Sequence, residues 1–428
     1  PTNSDDLLEL AALQSAIQAG DMDLLTFPQN CLDVVSQFII GLSINENVDI
    51  DEAFELIKST WSYREFPYDD FIEVIDMLEE ERRIWVDWEE NLYGRKGYSR
   101  MIYYTNVGTI APDNSYLVFN QDSTILGQLS ASFVSNLKGG DVILLGGSTY
   151  KINSITGTRV NVSPITGHRP TVPSWSGESK GRTRELSNHL LRLQQACILA
   201  IRKDQNPRIL LRDVYGLSDA IANTIASHME EHAFDSYDVP SPTNIIIEQI
   251  VGPVPTYVIT TCRGKSFNMA FGYYLSGLAQ LEEIEVIEIS FDENGLLFKC
   301  TQEINPSRLH ELFKADNYRE VIEHYLHGTE LFSKRFREAA GRAMIVPRKI
   351  GADEVSPQQF QQQADTLLSK HRSMGDSLLI KEAMNEIFEQ DIDSWGLAEF
   401  LSRMEADVVR LAHTKVKIPS KLGMGIFM

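Results

Sequence analysis

Pro67-Tyr68-Asp69-Asp70-Phe71-Ile72-Glu73-Val74-Ile75-Asp76-Met77-Leu78 is the stretch on which the reading of the fold turns. Proline suits the first turn of a helix, and Phe71, Val74, Ile75 and Leu78 recur three and four residues apart, which predicts one apolar, buried face. Two further helices are legible upstream. Asn30 can cap a run to Ile40 with Leu32, Val35, Phe38 and Ile39 at helical spacing, and Asp49 with Glu52 forms a capping box for a helix ending near Ser59. Downstream, Ile84, Val86 and Trp88 alternate as a strand, Gly94 to Gly97 turns, and Met101-Ile102-Tyr103-Tyr104 returns. Three helices followed by a hairpin predict a winged helix. The third helix, however, carries Asp69, Asp70, Glu73, Asp76 and Glu79, and carboxylates are repelled from a phosphate-lined groove. It is therefore expected to pack on another domain, leaving Arg95 and Lys96 of the wing as the strand contacts.

The surrounding chain has 428 residues, too many for one core, and suggests two or three domains. With 43% hydrophobic and 23% charged residues and no apolar run of membrane-spanning length, the composition is that of a soluble globular protein. Cys31, Cys197, Cys262 and Cys300 are widely spaced and form no C-x-x-C pair, which argues against a zinc site and a secreted disulfide framework. No signal peptide is recognisable, so the cytoplasm is the expected compartment. The formal net charge of −21 opposes phosphate binding on average, but the charge is unevenly spread. Acids dominate from Gln29 to Asn91, whereas Arg95, Lys96, Lys151, Arg159, Arg169, Lys180, Arg182, Arg184 and other cations dominate from there to Arg212.

Before the winged helix, Asp5 to Ala19 reads as one helix beginning in mid-pattern, as in a chain cut from something longer. After it, short alternating strands at Tyr116–Phe119, Val142–Leu145, Tyr150–Ile152 and Val160–Val162, separated by glycine turns, predict a small antiparallel β-barrel or strongly bent sheet with a helix near Ser130 to Leu137. Amphipathic helices follow at Leu186 to Arg202 and Ser218 to Phe234. Then come strands Asn244 to Ile250 and Thr256 to Thr261, a helix Ser266 to Leu281, and a hairpin Val286 to Cys300 around Asp292-Glu293-Asn294-Gly295. Pro306 to Ala412 reads as helical, with breaks at Gly328, Pro347 to Pro357 and Gly375. The class is α+β, with expected divisions at 1–27, 28–98 (winged helix), 99–186 (barrel-like) and 187–428 (α+β and helical).

The basic segment contains Arg169-Pro170-Thr171-Val172-Pro173-Ser174-Trp175-Ser176-Gly177-Glu178-Ser179-Lys180-Gly181-Arg182-Thr183-Arg184, in which prolines and glycines exclude regular structure. An indole held on such a backbone among cations suits a single nucleic-acid strand, cations to phosphates and ring to base; an indole plugging a core beneath the loop fits these residues as well.

Three fragments match catalytic motifs only in part. Gly264-Lys265-Ser266 follows a strand and opens a helix, but Ile259 stands where a phosphate loop requires glycine. His228-Met229-Glu230-Glu231-His232 matches H-x-x-E-H, yet zinc needs a third protein ligand that the sequence does not place, and a polar helix end facing water accounts for the same residues. Asp51-Glu52-Ala53-Phe54 sits inside a helix, where capping explains it. No catalytic residue and no metal site are assigned.

Several of these patterns resemble the Lhr (large helicase-related) superfamily 2 helicases: Asn30 to Gln37 with Gly41, Phe71 to Leu78, Gly140 to Gly146, Pro170 to Trp175 with Gly177, Arg182 to Ser187, Phe336 to Ala340 with Arg342, and Ile380 to Phe388. The resemblance spans nearly the whole chain. It departs from the family where Thr260-Thr261-Cys262-Arg263-Gly264 replaces a His-Ser-Pro-Phe-Gly signature, and where Lys421-Leu422 follows Pro419-Ser420. It implies the C-terminal region of a 3′-to-5′ translocase that parts DNA or RNA:DNA duplexes in DNA repair or nucleic-acid processing. ATP and Mg²⁺ would be bound by two RecA-like motor domains, in cis before Pro1 or in trans, and not by this chain. Asp5 to Ala19 would be the tail of the second motor domain, and the residue matching Trp175 would stack on a base of the tracking strand. Arg169, Lys180, Arg182, Arg184, Lys151, Arg159, Arg95 and Lys96 complete the expected contacts to single-stranded DNA or an RNA:DNA hybrid. The alternative is a scaffold or binding subunit that works with a separate ATPase; no membrane partner is expected.

Overall fold

The structure is a computed structural model that describes residues 4–427 except 111–114, 135–136, 138, 146–147, 157–158, 166–180, 236–238, 305–312, 314, 352 and 375–376. Packing divides the chain into two units, neither continuous in sequence. One contains Pro1–Thr26, Ser179–Thr329 and Phe388–Met428; the other contains Phe27–Glu178 and Glu330–Ile387.

In the second of these units, helices Leu32–Leu42, Ile50–Lys58 and Tyr68–Glu80 precede an antiparallel hairpin of Ile84–Asp87 and Leu92–Arg95, with Val48–Asp49 as a third strand beside the latter. Phe71, Val74, Ile75 and Leu78 are fully buried, as their spacing requires. Asp49 accepts the Glu52 N–H at 3.0 Å. Asn30, by contrast, does not cap the first helix. Its φ is 53°, a left-handed conformation that Asn tolerates, and its N–H donates to the Ser62 carbonyl, so the helix begins after Cys31.

The hairpin also differs from expectation. Its turn lies at residues 88–91, where the Asp87 carboxylate accepts N–H bonds from Glu89 and Glu90 and Asn91 adopts φ 55°. Gly94 lies within the strand because a Cβ there would meet the Trp85 ring at 2.6 Å. Met101 to Tyr104 belongs to the helix Ser99–Asn106, whose first residue donates its hydroxyl to the Arg83 carbonyl. A four-residue run of large apolar and aromatic side chains is too short to distinguish the two periods, and here the tertiary setting selects the helix.

The acidic helix packs on helices from the segment expected as a separate 187–428 domain, but these helices belong to the same compact unit as the winged helix. Asp70 pairs with Lys381 of the helix Leu378–Glu386, and Glu81, just beyond the acidic helix, pairs with Lys370 of the helix Pro357–Met374, each at 2.6 Å. Exposed pairs of this kind contribute up to about 1 kcal/mol each. A buried cluster fixes the same packing more firmly. Arg342 bonds Asp33 and, at 2.7 Å, Glu386, while Glu382 accepts the Leu32 N–H at 2.9 Å. Burial opposes the Arg342 charge, but Asp33 and Glu386 outweigh it and raise its pKa.

A separate sheet in this unit runs in the order Ile125–Ser130, Ser115–Phe119, Arg159–Pro164, Ser148–Thr156, Val142–Leu145. The expected bent sheet is present, with one correction: Ser115–Phe119 and Arg159–Pro164 pair in parallel. A Cβ on Gly127 would lie 3.7 Å from Leu145, so the two edge strands curl toward each other around Tyr116, Val118, Leu129, Ile143, Ile152, Val160 and Val162. Of the helix expected at Ser130 to Leu137, only Ala131–Val134 is helical among the described residues.

The other unit is built on a five-stranded sheet ordered Val286–Phe291, Gly295–Cys300, Thr256–Thr260, Asn244–Ile250, Arg410–Val416, with the helix Lys265–Leu281 buried against it. Arg410–Val416 corrects the helical expectation through Ala412: the last long helix ends at Glu405, and this strand pairs in parallel with Asn244–Ile250. It covers the edge of an almost wholly buried strand, whose unpaired N–H and C=O groups would otherwise be unsatisfied. A helical layer completes the unit. Leu8, Ala11 and Ala12 of Ser4–Ala19 join Leu190, Leu193 and Cys197 of Arg184–Arg202, Leu211 of Pro207–Asp213, and Ile225 and Met229 of Asp219–Asp235 in one core. The α+β class holds, and no described helix is long and apolar enough to cross a membrane.

Burial, reinforced by the Asp33 charge, pushes the Glu382 carboxyl up to about 8 from an ordinary 4.5. Between those values the folded state keeps a proton that the unfolded chain releases, so this residue makes stability fall as pH rises through the window. Glu382→Gln keeps an acceptor for Leu32 and removes the titration. Thermal unfolding from pH 5 to 8 is expected to show a flatter dependence in the variant than in the wild type, and parallel curves would refute the assignment.

Candidate nucleic-acid interface

The stretch carrying Arg169, Trp175 and Lys180 lies outside the described residues. What the structure describes is where that stretch ends. Thr183 caps the helix Arg184–Arg202 by accepting the Leu186 N–H, and Arg182 anchors the chain just before it. The Arg182 side chain is only 3% exposed. It donates to Ser187 Oγ at 3.2 Å, Glu9 at 3.1 Å, the Glu293 carbonyl at 2.7 Å and Asn294 Oδ1 at 3.1 Å, so the guanidinium binds three elements of its own unit.

The Glu293 carboxylate completes this anchor by accepting the N–H groups of Arg182 at 2.9 Å and Lys265 at 3.2 Å. Lys265 begins the helix Lys265–Leu281, and Gly264 before it has φ 92°, with the position of its missing Cβ directly against the Arg182 carbonyl. This explains the phosphate-loop-like Gly264-Lys265-Ser266. The glycine admits the neighbouring backbone, and the anion at the helix N-terminus is the protein's own carboxylate. Ile259 lies in the strand Thr256–Thr260. These residues do not fit a nucleotide phosphate.

Beside the anchor, Arg184, Arg263 and Arg403 line a small cleft with Ser187, Asn188 and Phe267. Arg263 lies over the rings of Phe267 and Phe400, 5.5 and 5.3 Å from their centroids. It and Arg403 both donate to the Pro242 carbonyl, at 3.1 and 3.0 Å. Burial, and then the Arg403 charge, push the Arg263 pKa down to about 10, and its Nε is buried without a hydrogen-bond partner. Arg184 reaches Glu185 at 3.6 Å and Asp393 at 4.0 Å, loose contacts that leave the guanidinium partly exposed. Three guanidiniums crowded in this way favour an anion, although Asp393 and Glu399 partly offset them. The sequence reading passed over Arg263 and Arg403. The only signal for the former was the departure from the family signature at Thr260 to Gly264.

The remaining expected contacts lie in the other unit. Lys151 and Arg159 are exposed on the outer face of the curled sheet, opposite Ile152 and Val160, and Arg159 stacks on Phe119 at 3.7 Å. Arg95 and Lys96 are half-buried at the base of the hairpin rather than at its tip; Arg95 Nε donates to the Ile44 carbonyl at 2.9 Å. The H-x-x-E-H fragment is not a helix end facing water, because His232 is buried and Met229 belongs to the core.

A winged helix, a curled sheet and an α+β unit that follows a basic stretch in sequence define the class of this α+β protein. Two family models match it: "Large helicase-related protein, winged helix domain" over residues 15–172 and "DEAD/H associated" over residues 239–423. The chain is 27% identical, over 99% of its length, to the ATP-dependent helicase Lhr-Core protein 2 of Thermococcus barophilus and covers 50% of that protein. It is likewise 27% identical, over 99% of its length, to the ATP-dependent helicase Lhr-Core of Methanothermobacter thermautotrophicus, covering 51% of it. To the Lhr helicase/probable uracil glycosylase of Mycolicibacterium smegmatis it is 23% identical over 98% of its length, covering 29% of that protein. The fold matches the structure of Mycobacterium smegmatis helicase Lhr bound to ssDNA and AMP-PNP with a TM-score of 0.74 at 19% identity, over 100% of this chain and 52% of that one. The chain belongs to the Lhr family, as a region that spans about half the length of its Lhr-Core relatives.

Gly264→Ala would place a methyl group against the Arg182 carbonyl in a left-handed conformation, and a loss of about 1–3 kcal/mol in stability is expected. Chemical denaturation measures it; an unchanged midpoint would show that the anchor does not depend on this close approach.

Proposed function

We propose that this chain is the nucleic-acid-binding, strand-tracking and duplex-separating region of an ATP-dependent, 3′-to-5′ Lhr-type helicase. It would act on DNA or RNA:DNA duplexes in DNA repair or nucleic-acid processing. On this reading residues 1–27 end a preceding RecA-like domain, 28–98 are the winged helix, and 99–186 and 187–428 are the two parts of the family's own domain. ATP and Mg²⁺ would belong to motor domains supplied in cis or trans; in the phosphate-loop-like fragment here, Glu293 accepts the Lys265 N–H.

The observation that carries the reading is the placement of the Trp175 stretch. In sequence it joins a curled sheet carrying Lys151 and Arg159 to a helix that starts at Arg184. Likeness over the full chain to a helicase solved with ssDNA supports the same reading. Trp175 would stack on a base while Arg169, Lys180, Arg184, Lys151, Arg159, Arg95 and Lys96 contact phosphates. Arg182, with its donors engaged inside the protein, would act by holding the chain just ahead of Arg184.

Fluorescence anisotropy with a labelled single-stranded oligonucleotide tests this. Affinity should fall steeply with added salt, and Trp175→Ala should weaken binding by about 1–3 kcal/mol with little change in melting temperature. Absence of strand binding would favour the scaffold reading. A large drop in melting temperature with unchanged binding would make Trp175 a core residue.

A further inference from the structure

His228 and His232 lie one turn apart on the helix Asp219–Asp235, and their Nε2 atoms are 3.0 Å apart. Asp5, from the helix Ser4–Ala19, places Oδ1 2.8 Å from His228 Nε2, and the three donor atoms all lie within 4.8 Å of one another. The imidazole rings are nearly perpendicular, at 83°. His228 Nε2 carries at most one hydrogen. If that hydrogen points to Asp5, it is poorly aimed at His232; if it is absent, the lone pair of His228 faces the carboxylate's own. A cation accepts all three lone pairs at once.

We propose that Asp5, His228 and His232 form a binding site for a divalent cation of the zinc type, which staples the N-terminal helix to the helix Asp219–Asp235. Two imidazoles and one carboxylate are a donor set suited to zinc, with a fourth position open to water. The site is also pre-arranged. Leu8, Ala11 and Ala12 on one helix share a core with Ala222, Ile225, Ala226 and Met229 on the other, so both backbones are fixed without the ion, and little further ordering accompanies binding. His232 is buried, His228 is half-buried and Asp5 is exposed, leaving a route for the ion from solvent. Glu231 adds negative charge nearby although it pairs with Lys421 at 2.8 Å. The H-x-x-E-H spacing thus supplies two ligands, and a third comes from more than two hundred residues away.

Tag-free full chain, stripped with chelator and dialysed against buffered zinc, is expected to retain about one zinc per chain, by elemental analysis, and to melt at a higher temperature than the stripped protein. Cobalt should give the visible absorption of a tetrahedral site. Asp5→Asn and His228→Asn alter groups that are not fully buried, so both should fold as the wild type does in chelator. Each should bind zinc on the order of tenfold more weakly or worse, while Asp6→Asn should not. Zinc content no higher than that of an Asp5→Asn/His228→Asn double variant, or affinities equal across the variants, would overturn the proposal and leave the three side chains as a hydrogen-bonded chain.

Discussion

The Glu293 carboxylate is the interaction on which the unit built around the Arg410–Val416 sheet depends for its most consequential geometry. It accepts backbone N–H groups from Arg182 and Lys265, and the carbonyl of the same residue accepts from the Arg182 guanidinium and the Gly264 N–H. One residue in a hairpin turn thereby fixes Arg182 just ahead of the helix Arg184–Arg202. It also satisfies part of the N-terminus of a buried helix, whose donors are costly to leave unpaired. Arg263 and Arg403 flank the same corner, so the cleft beside it inherits its shape.

In the unit containing the winged helix the comparable constraint is Arg342. Asp33 near the start of the first helix and Glu386 late in the chain share its guanidinium, which joins segments separated by some three hundred residues. Such a cluster is better regarded as specifying one arrangement than as a source of stability, because removing three charges from water nearly cancels their attraction. It also accounts for an acidic helix in the place where a nucleic-acid-reading winged helix carries cations: Lys381, on the same helix as Glu382 and Glu386, meets that acidic face.

Much of the fold was legible in the residues. The buried face of Tyr68–Glu80 followed from four apolar positions, and the strands Asn244–Ile250 and Gly295–Cys300 from apolar runs bounded by turn residues. Errors fell where local pattern was ambiguous. Met101 to Tyr104 fits either period when isolated, and contacts outside it, among them the hydroxyl of Ser99 on the Arg83 carbonyl and Asn106 on the Lys349 carbonyl, accompany the helix. Arg410–Val416 is a strand because a buried neighbour presents an unpaired edge, which no local pattern of its own announces. Of the candidate interface, the basic stretch lies outside the described residues, whereas the cleft of Arg263 and Arg403 escaped the sequence, because arginines scattered over a chain do not reveal that they converge.

By itself the sequence determined the class, most of the helices and strands, the uneven charge and the family likeness. Tertiary structure alone decided which charges are engaged. Arg182 looked like its cationic neighbours until its donors proved to be committed to Glu9, Ser187, Glu293 and Asn294. His228 and His232 looked like two-thirds of a site until Asp5 arrived from another helix. The physical reason is the same in both cases. Hydrogen-bond and lone-pair geometry acts over about 3 Å in space, while sequence records separation only along the chain.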